Sequence, residues 1–343
     1  MRVTRMETTD LQRVRSDFPA LENYTWFQNG GVSITPRPVA DFHASLMDEL
    51  LQRGPMHIVY PDEEAALLLP VLALRDQQGI TVRKLELVDG STDQQVAALE
   101  SCLGERTRLV AFSHVTTDLG YRLPAGELCE TVRQHGAMSF VDMAHSCGVL
   151  PIDLDETGCD FAGLLSYKWM YSPYAAGLLY VNPGRIGELA VRFPGGRSES
   201  WLDFETDRFE LHDSAERFQF GPWSWPLVHA WAAACDWLTA IGPAEIAERT
   251  GWLTDRLKRG LQSIETVELL TPGEFTRSAA LVSMTLAGWT GEDLAATLRE
   301  RWNMIVKPLP HTREGLRISV PFFLLEEEID RLVEALGELA ACS

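Results

Sequence analysis

Four side chains in this sequence have the types and spacing to do covalent and acid–base chemistry. "LLSYKWMYSP" (164–173) holds one lysine in ten residues, Lys168, set between aromatic side chains just after an apolar run. An amine held in a pocket is a nucleophile suited to covalent catalysis. A surface lysine whose stem covers apolar area is the ordinary alternative. "FVDMAHSCG" places Asp142 at the end of another apolar run and His145 three residues on, and Lys168 follows Asp142 by 26 positions. Far downstream, Arg317 sits in "GLRISV". Taken singly, Asp142 reads as a turn residue closing a strand, His145 as a core histidine with its partners in place, and Arg317 as a strand residue in an ion pair. Together they form a candidate catalytic set.

The patterning around them indicates the scaffold. "RLVAFSH" (108–114), "MSFVDMAH" (138–145), "DFAGLLS" (160–166) and "GLLYVN" (177–182) are short apolar runs, and "LPAGELCETVRQHGA" (123–137) has helical spacing. Short apolar strands separated by helices or crossovers predict an α/β fold, a mostly parallel central sheet with helices on both faces. In such sheets ligands gather at the carboxyl ends of the strands. His114 to Asp118, Asp142 to His145 and Ser166 to Lys168 all stand just after apolar runs, which moves Lys168 off the surface reading.

From about residue 226 the texture changes. "PLVHAWAAACDWLTAIG" (226–242) and "AEIAERTGWLTDRLKRGLQSI" (244–264) have long amphipathic spacing. "ALVSMTL" (280–286), "GEDLAATLRERW" (291–302), "GLRISV" (315–320) and "EEEIDRLVEALGELAA" (326–341) then alternate strand and helix, a smaller C-terminal α+β domain. The expected division is an N-terminal arm over 1–30, a large domain over 31–242 and a small domain over 243–343.

The 343 residues carry a formal charge of −19, with no cluster of Lys and Arg to replace the counterions of a nucleic acid. "MRVTRMETTDLQRVRSDFPAL" has no apolar core of a secretory leader, and no apolar stretch approaches bilayer-spanning length. Cys102, Cys129, Cys147, Cys159, Cys235 and Cys342 show no metal or CxxC spacing. The expectation is a cytoplasmic protein without nucleic-acid or membrane partners and without a metal.

Several of these motifs occur together in one known order. "FPALENYTWFQNGGVSITPRPV", "SHVTTDLGYRLP", "VDMAHSCG" and "GLRISVPFFLLEEEIDRL" resemble the class V aminotransferase family of pyridoxal-phosphate enzymes, which has the type I fold and includes cysteine desulfurases and isopenicillin N epimerase-like proteins. Within it the similarity runs toward the lincosamide-pathway branch, which acts on S-cysteinyl conjugates. The resemblance implies pyridoxal 5'-phosphate as coenzyme and a homodimer with active sites near the subunit interface. It implies that Lys168 supplies the amine for the coenzyme aldehyde, that Asp142 keeps the pyridine nitrogen protonated, and that His145 contacts the ring or its phenolic oxygen. Thr117 stands where relatives carry Asn near that oxygen. Arg317 is the carboxylate-binding residue, a planar two-toothed donor, and Asn29 and Gly30 of "YTWFQNGG" belong by the substrate mouth.

The sequence also departs from the family. Relatives carry a further βα segment after about residue 56, whose Gly/Ser/Thr turn cradles the coenzyme phosphate at a helix N-terminus. Here no Gly or Ser occurs from Met56 to Gln78. Either the biological chain holds a segment this sequence lacks, or the protein binds its coenzyme weakly, or it is an inactive relative. The first is favoured, because a sheet without that unit leaves strand edges unpaired. An intact mass near 38.3 kDa for the purified protein counts against it. Tyr167 replaces the family's His before the lysine, and its hydroxyl is a neutral donor for the phosphate, as is Ser166. In "FQFGPWSWP", where relatives place a Thr that touches the partner subunit's phosphate, Pro222 cannot serve and Ser224 is the candidate, with an aromatic dimer contact as the alternative.

Cysteine desulfurases receive sulfur on a loop cysteine upstream of the carboxylate arginine, and "RERWNMIVKPLPHTREGLR" (299–317) has none. That sets persulfide transfer aside, and the resemblance to the lincosamide-pathway branch implies cleavage of the C–S bond of an S-substituted cysteine by a lyase. The alternatives are transamination, epimerisation and decarboxylative oxidation, or a non-catalytic dimeric scaffold of the same fold.

Overall fold

The computed structural model describes residues 8–30, 33–53, 68–86, 89–173, 176–221, 223–309 and 314–341. In chain order the elements of the first half are α1 (Thr8–Ser16), β1 (Thr25–Trp26), α2 (Arg37–Arg53), α3 (Leu68–Gln78), α4 (Thr92–Cys102), β2 (Leu109–Ser113), α5 (Ala125–Gln134), β3 (Met138–Asp142), α6 (Leu154–Thr157), β4 (Phe161–Leu165) and β5 (Gly177–Val181). Local chemistry sets several boundaries. Ser91 and Gln94 form a capping box at the start of α4, each satisfying an otherwise orphaned backbone N–H of the first turn. Asp153 caps the short α6 through the N–H groups of Asp155 and Glu156.

The four strands β2–β5 form one sheet in the order β2-β3-β4-β5. β2, β3 and β4 run parallel, with Ser113 level with Asp142 and Asp142 level with Gly163. β5 is antiparallel to β4. Only residues 166–176 join β4 to β5, too short for a parallel crossover, so the chain turns back on itself. β2 and β5 form the two edges, with no further strand beside them among the described residues, and Leu109 and Leu179 are exposed there. The family's phosphate-cradling turn is expected in a stretch that includes 54–67, which lies outside the described residues.

The second half begins with the hairpin β6 (Glu199–Asp203) and β7 (Arg208–Leu211), followed by α7 (Trp225–Ile241) and α8 (Pro243–Gln262). Then come β8 (Val267–Leu269), β9 (Leu281–Leu286), α9 (Gly291–Trp302), β10 (Met304–Ile305), β11 (Lys307–Pro308), β12 (Leu316–Ser319) and α10 (Glu326–Ala340). An antiparallel sheet of order β11-β12-β9-β8 carries α8, α9 and α10. Its core joins Leu253, Leu257, Met284, Leu298, Ile318 and Leu336, each fully buried.

Two of the contacts that tie the halves together involve the N-terminal segment. β1 pairs in parallel with β10, and Phe27 is buried in the C-terminal core. Val14, Phe18, Tyr171, Leu238, Ile246, Phe322 and Phe323 form a mixed aromatic cluster drawn from both ends of the chain. Tyr171 meets Phe18, Trp237 and Phe322 edge to face, an arrangement favoured by ring quadrupoles. β9 and β12 are also tied to the loop that leaves β2: Arg317 donates to the Thr117 carbonyl, and the Ser283 hydroxyl of β9 donates to the Asp118 carbonyl.

Candidate active site

Parallel strands end together, so the loops that leave β2, β3 and β4 meet at one edge of the sheet. His114 is the residue after β2, Asp142 ends β3, and Lys168 lies three residues past β4. The His114 N–H donates to the Asp142 carbonyl and the Met143 N–H to the Gly163 carbonyl, which extends the ladder into the loops.

The lysine loop is strongly constrained. The Ser166 hydroxyl donates to the Pro173 carbonyl at 2.7 Å, and the Ser172 N–H donates to the Ser166 carbonyl. Ser166 thus closes the loop, and its hydroxyl proton is engaged rather than open to an anion. The Tyr167 carbonyl accepts from the Ser33 N–H. Tyr171 adopts φ 54°, an uncommon conformation for a bulky residue. Its aromatic neighbours enforce that strain beside the lysine. Gly148, at φ +80°, lets the segment after His145 lie on this loop, because a Cβ there would collide with the Trp169 carbonyl.

Around Lys168 the distances are those of hydrogen bonds. Its Nζ lies 3.1 Å from Nε2 of His145, which in turn lies 2.6 Å from Oγ1 of Thr117. The Trp169 indole N–H donates to Nδ1 of His145 at 3.2 Å. Burial is the main cause that pulls the Lys168 pKa down to about 8, with Asp142 opposing and Arg317 and Lys307 assisting. His145 is pushed well below its ordinary value, first by burial and then by Lys168, Arg317 and Lys307, so the ring is neutral at pH 7. One carboxylate oxygen of Asp142 accepts from the Ala144 N–H; the other has no hydrogen-bond donor among the described residues.

Arg317 is 3% exposed. Its Nη1 donates to the Thr117 carbonyl at 2.8 Å and its Nη2 approaches Gln28 Oε1 at 3.5 Å, while Nε is buried without a partner among the described residues. Burial lowers its pKa to about 10. Gly30 donates its N–H to the Ser319 hydroxyl, and a Cβ at Gly30 would stand 2.8 Å from that oxygen and 3.3 Å from Cζ of Arg317. Asn29, fully buried, faces the Tyr171 hydroxyl, and its amide has no complete hydrogen bond among the described residues. A buried guanidinium Nε and a buried amide left open are a cost that a ligand removes.

The structure therefore brings together Lys168, Asp142, His145, Thr117, Arg317, Asn29 and Gly30. Ser224 stands apart, exposed at the N-terminus of α7, and makes no hydrogen bond to this cluster. Sequence reading missed Trp169, Tyr171 and Lys307. The run "KWMYSPY" marks an aromatic cluster, but which indole meets which imidazole depends on the Gly148 turn. The residues present fit an aldehyde-bearing coenzyme with a cationic ring. They offer a depressed amine, an open carboxylate oxygen at the end of β3, an imidazole beside that amine, and a carboxylate-binding fork reached past a glycine.

Known proteins share this plan. A family model described as aminotransferase class-V matches residues 38–332. The chain is 34% identical over 282 residues to isopenicillin N epimerase of Streptomyces clavuligerus, across 77% of this chain and 68% of that one. It is 26% identical over 302 residues to a probable cysteine desulfurase of Methanothermobacter thermautotrophicus, across 84% and 74% of the two chains. Among solved structures, the apo cysteine desulfurase of Thermococcus onnurineus NA1 superposes with a TM-score of 0.82 at 21% identity, over 97% of this chain and 98% of that one. The cystine C–S lyase C-DES, solved with its product cysteine persulfide, superposes with a TM-score of 0.82 at 22% identity, over 94% and 99%. At such identities these two structures establish the fold.

Proposed function

The chain belongs to the aminotransferase class-V family, and on that basis we propose that it is a pyridoxal 5'-phosphate-dependent lyase that breaks the C–S bond of an S-substituted cysteine conjugate in natural-product metabolism. The observation that carries a coenzyme-dependent reading is Lys168, an amine lowered to about 8 and set 3.1 Å from His145 at the strand ends, with Asp142 and Arg317 around it. Bound there, pyridoxal phosphate supplies a carbonyl carbon to an amine and a cationic ring that draws electrons from the bond being broken. Each protein group has a matching task. The Lys168 amine would take the α-proton and, as the C–S bond breaks, pass a proton to the departing sulfur. The open oxygen of Asp142 holds a proton on the ring nitrogen. The Nε edge of Arg317 grips the substrate carboxylate in the two-toothed geometry a guanidinium allows. The reaction balances as S-substituted cysteine plus water giving thiol, pyruvate and ammonia.

Two facts support C–S cleavage without a protein-bound persulfide. Relatives named as cysteine desulfurases act in the same family, while residues 299–317 of this chain contain no cysteine to receive sulfur. A second reading, epimerisation of an amino-acid substrate, is favoured by the 34% identity to isopenicillin N epimerase. The proposal includes a cytoplasmic homodimer. Its support is the five free thiols among the described residues and the exposed Phe193, Phe204, Phe209 and Phe220 on and around the β6–β7 hairpin, an apolar surface of the kind a partner covers. No helix among the described residues is long and apolar enough to cross a membrane.

The test is to add pyridoxal phosphate, reduce with borohydride and map the modified residue. A pyridoxyl group on Lys168 is expected; none, or one elsewhere, sinks the enzyme reading. Incubation with S-alkyl cysteines then separates the reactions. Pyruvate and thiol signify elimination, an aldehyde signifies decarboxylative oxidation, and α-deuterium uptake with inversion signifies epimerisation.

A further inference from the structure

We propose that Trp169 is a positioning residue: its indole N–H, 3.2 Å from Nδ1 of His145, locks the imidazole in the tautomer whose hydrogen sits on Nε2, so that His145 turns an N–H dipole rather than a lone pair toward Thr117 and Lys168. The assignment rests on what each group can do. An indole nitrogen only donates, so the atom it meets must accept. Nδ1 is therefore the bare nitrogen. A neutral imidazole carries one hydrogen, which leaves it on Nε2. Burial, reinforced by the positive charges of Lys168, Arg317 and Lys307, keeps the ring neutral.

Nε2 has two neighbours, Oγ1 of Thr117 at 2.6 Å and Nζ of Lys168 at 3.1 Å. Its hydrogen goes to the Thr117 oxygen, which accepts readily. Toward Lys168 the same N–H dipole presents its positive end. That positive end repels an ammonium and not a neutral amine, so this tautomer favours the uncharged amine. The opposite tautomer would turn a lone pair toward Lys168 and stabilise the ammonium. One indole hydrogen thus biases the lysine toward its nucleophilic form. It acts in the same direction as desolvation, Arg317 and Lys307 and against Asp142.

Trp169 is held firmly enough for the role. It is 1% exposed and packs with Val115, Val149, Leu150 and Leu281. The close approach at Gly148 brings the segment after His145 onto the Trp169 backbone, so lysine, tryptophan and histidine are fixed by one loop contact. The tautomer rests on this geometry alone; its consequence for Lys168 rests on the coenzyme reading above.

The test is two-bond nitrogen–proton correlation NMR on the coenzyme-free protein, labelled with nitrogen-15 histidine at pH 7.5, with His145 assigned by its loss in His145→Gln. A pyrrole-type Nε2 and a pyridine-type Nδ1 are expected. The reverse pattern, or a protonated ring, overturns the proposal and needs no variant to do so. Trp169→Phe keeps a ring in the core and removes the hydrogen. Mixed tautomers are expected, together with condensation of pyridoxal phosphate at Lys168 slowed about threefold at pH 7.5, as for a rise of half a pKa unit. An unchanged His145 pattern in a folded Trp169→Phe protein also overturns the proposal. Failure of the coenzyme to modify wild-type Lys168 refutes the enzyme reading instead, and the wild-type spectrum still decides the tautomer.

Discussion

Lys307 and Arg317 stand directly opposite one another across the antiparallel β11–β12 pair, two cations in register at the rim of the site. Like charges in that position repel. Lys307 is drawn below its ordinary pKa by partial burial and by Arg317, and among the described residues no carboxylate forms an ion pair with it. Together they raise the positive potential over Lys168, which both push toward the free amine.

Removing Lys307 therefore has a definite sign. In Lys307→Met the ammonium of Lys168 loses a repelling neighbour, and its pKa rises from about 8. Because Lys307 is well exposed, the shift is a few tenths of a unit after solvent screening. Asp142→Asn acts the other way, since Asp142 stabilises the ammonium. Its Lys168 pKa falls, and turnover falls roughly a hundredfold as the ring nitrogen loses its proton holder. The pH dependence of coenzyme attachment, followed by absorbance, measures both; a shift of equal sign in the two variants contradicts this electrostatic account.

Much of this arrangement is legible in the sequence for a physical reason. Parallel strands buried on both faces are short apolar runs, and the residues just after them must lie at one edge, so Asp142, His145 and Lys168 group from patterning alone. The antiparallel β5 is also within reach of the sequence, because 166–176 is too short for a crossover. Trp169 is not, because an indole in an aromatic run gives no sign of its partner until the Gly148 turn is seen. Lys307 is not, because its meeting with Arg317 depends on the β11–β12 register rather than on spacing. Ser224 lies at the start of α7, exposed and away from this cluster, where its expected meeting with a partner subunit's phosphate is not decided by one chain.

His114 couples the sheet edge to acid stability. Burial, then Arg122, holds its pKa at about 4 against 6.5 for an unburied histidine. The unfolded chain takes up the proton first as pH falls, so the contribution is complete above about 6.5 and is lost between there and about 4. The span corresponds to ~3 kcal/mol. Urea midpoints at pH 7 and pH 4.5 are expected to differ by less in His114→Gln than in the wild type. Parallel declines in the two proteins exclude His114 as the source.

Gly148→Ala is expected to damage both fold and site. At φ +80° an added Cβ is strained, and here it also meets the Trp169 carbonyl. Roughly 2 kcal/mol or more of stability goes, beyond the usual cost of a side chain in the left-handed region. The loop must then shift, and with it the contact between Trp169 and His145. Thermal melting measures the first effect and the rate of coenzyme attachment the second. A variant that melts like the wild type shows that the loop has room to move.

Arg317→Lys separates charge from shape. Lysine keeps the positive charge but loses the fixed fork, and the Nη1 donation to the Thr117 carbonyl goes with it. The bare Nε edge of the arginine is the feature that matches a carboxylate. Amino-acid binding is expected to weaken about tenfold to a hundredfold, equivalent to ~1.4 to 3 kcal/mol for a charge-assisted pair. Coenzyme attachment to Lys168 should proceed at nearly the wild-type rate, since the cation is retained. Titration of the bound-coenzyme spectrum with S-alkyl cysteines gives the affinity. Equal affinity in variant and wild type places the carboxylate elsewhere and removes Arg317 from substrate binding.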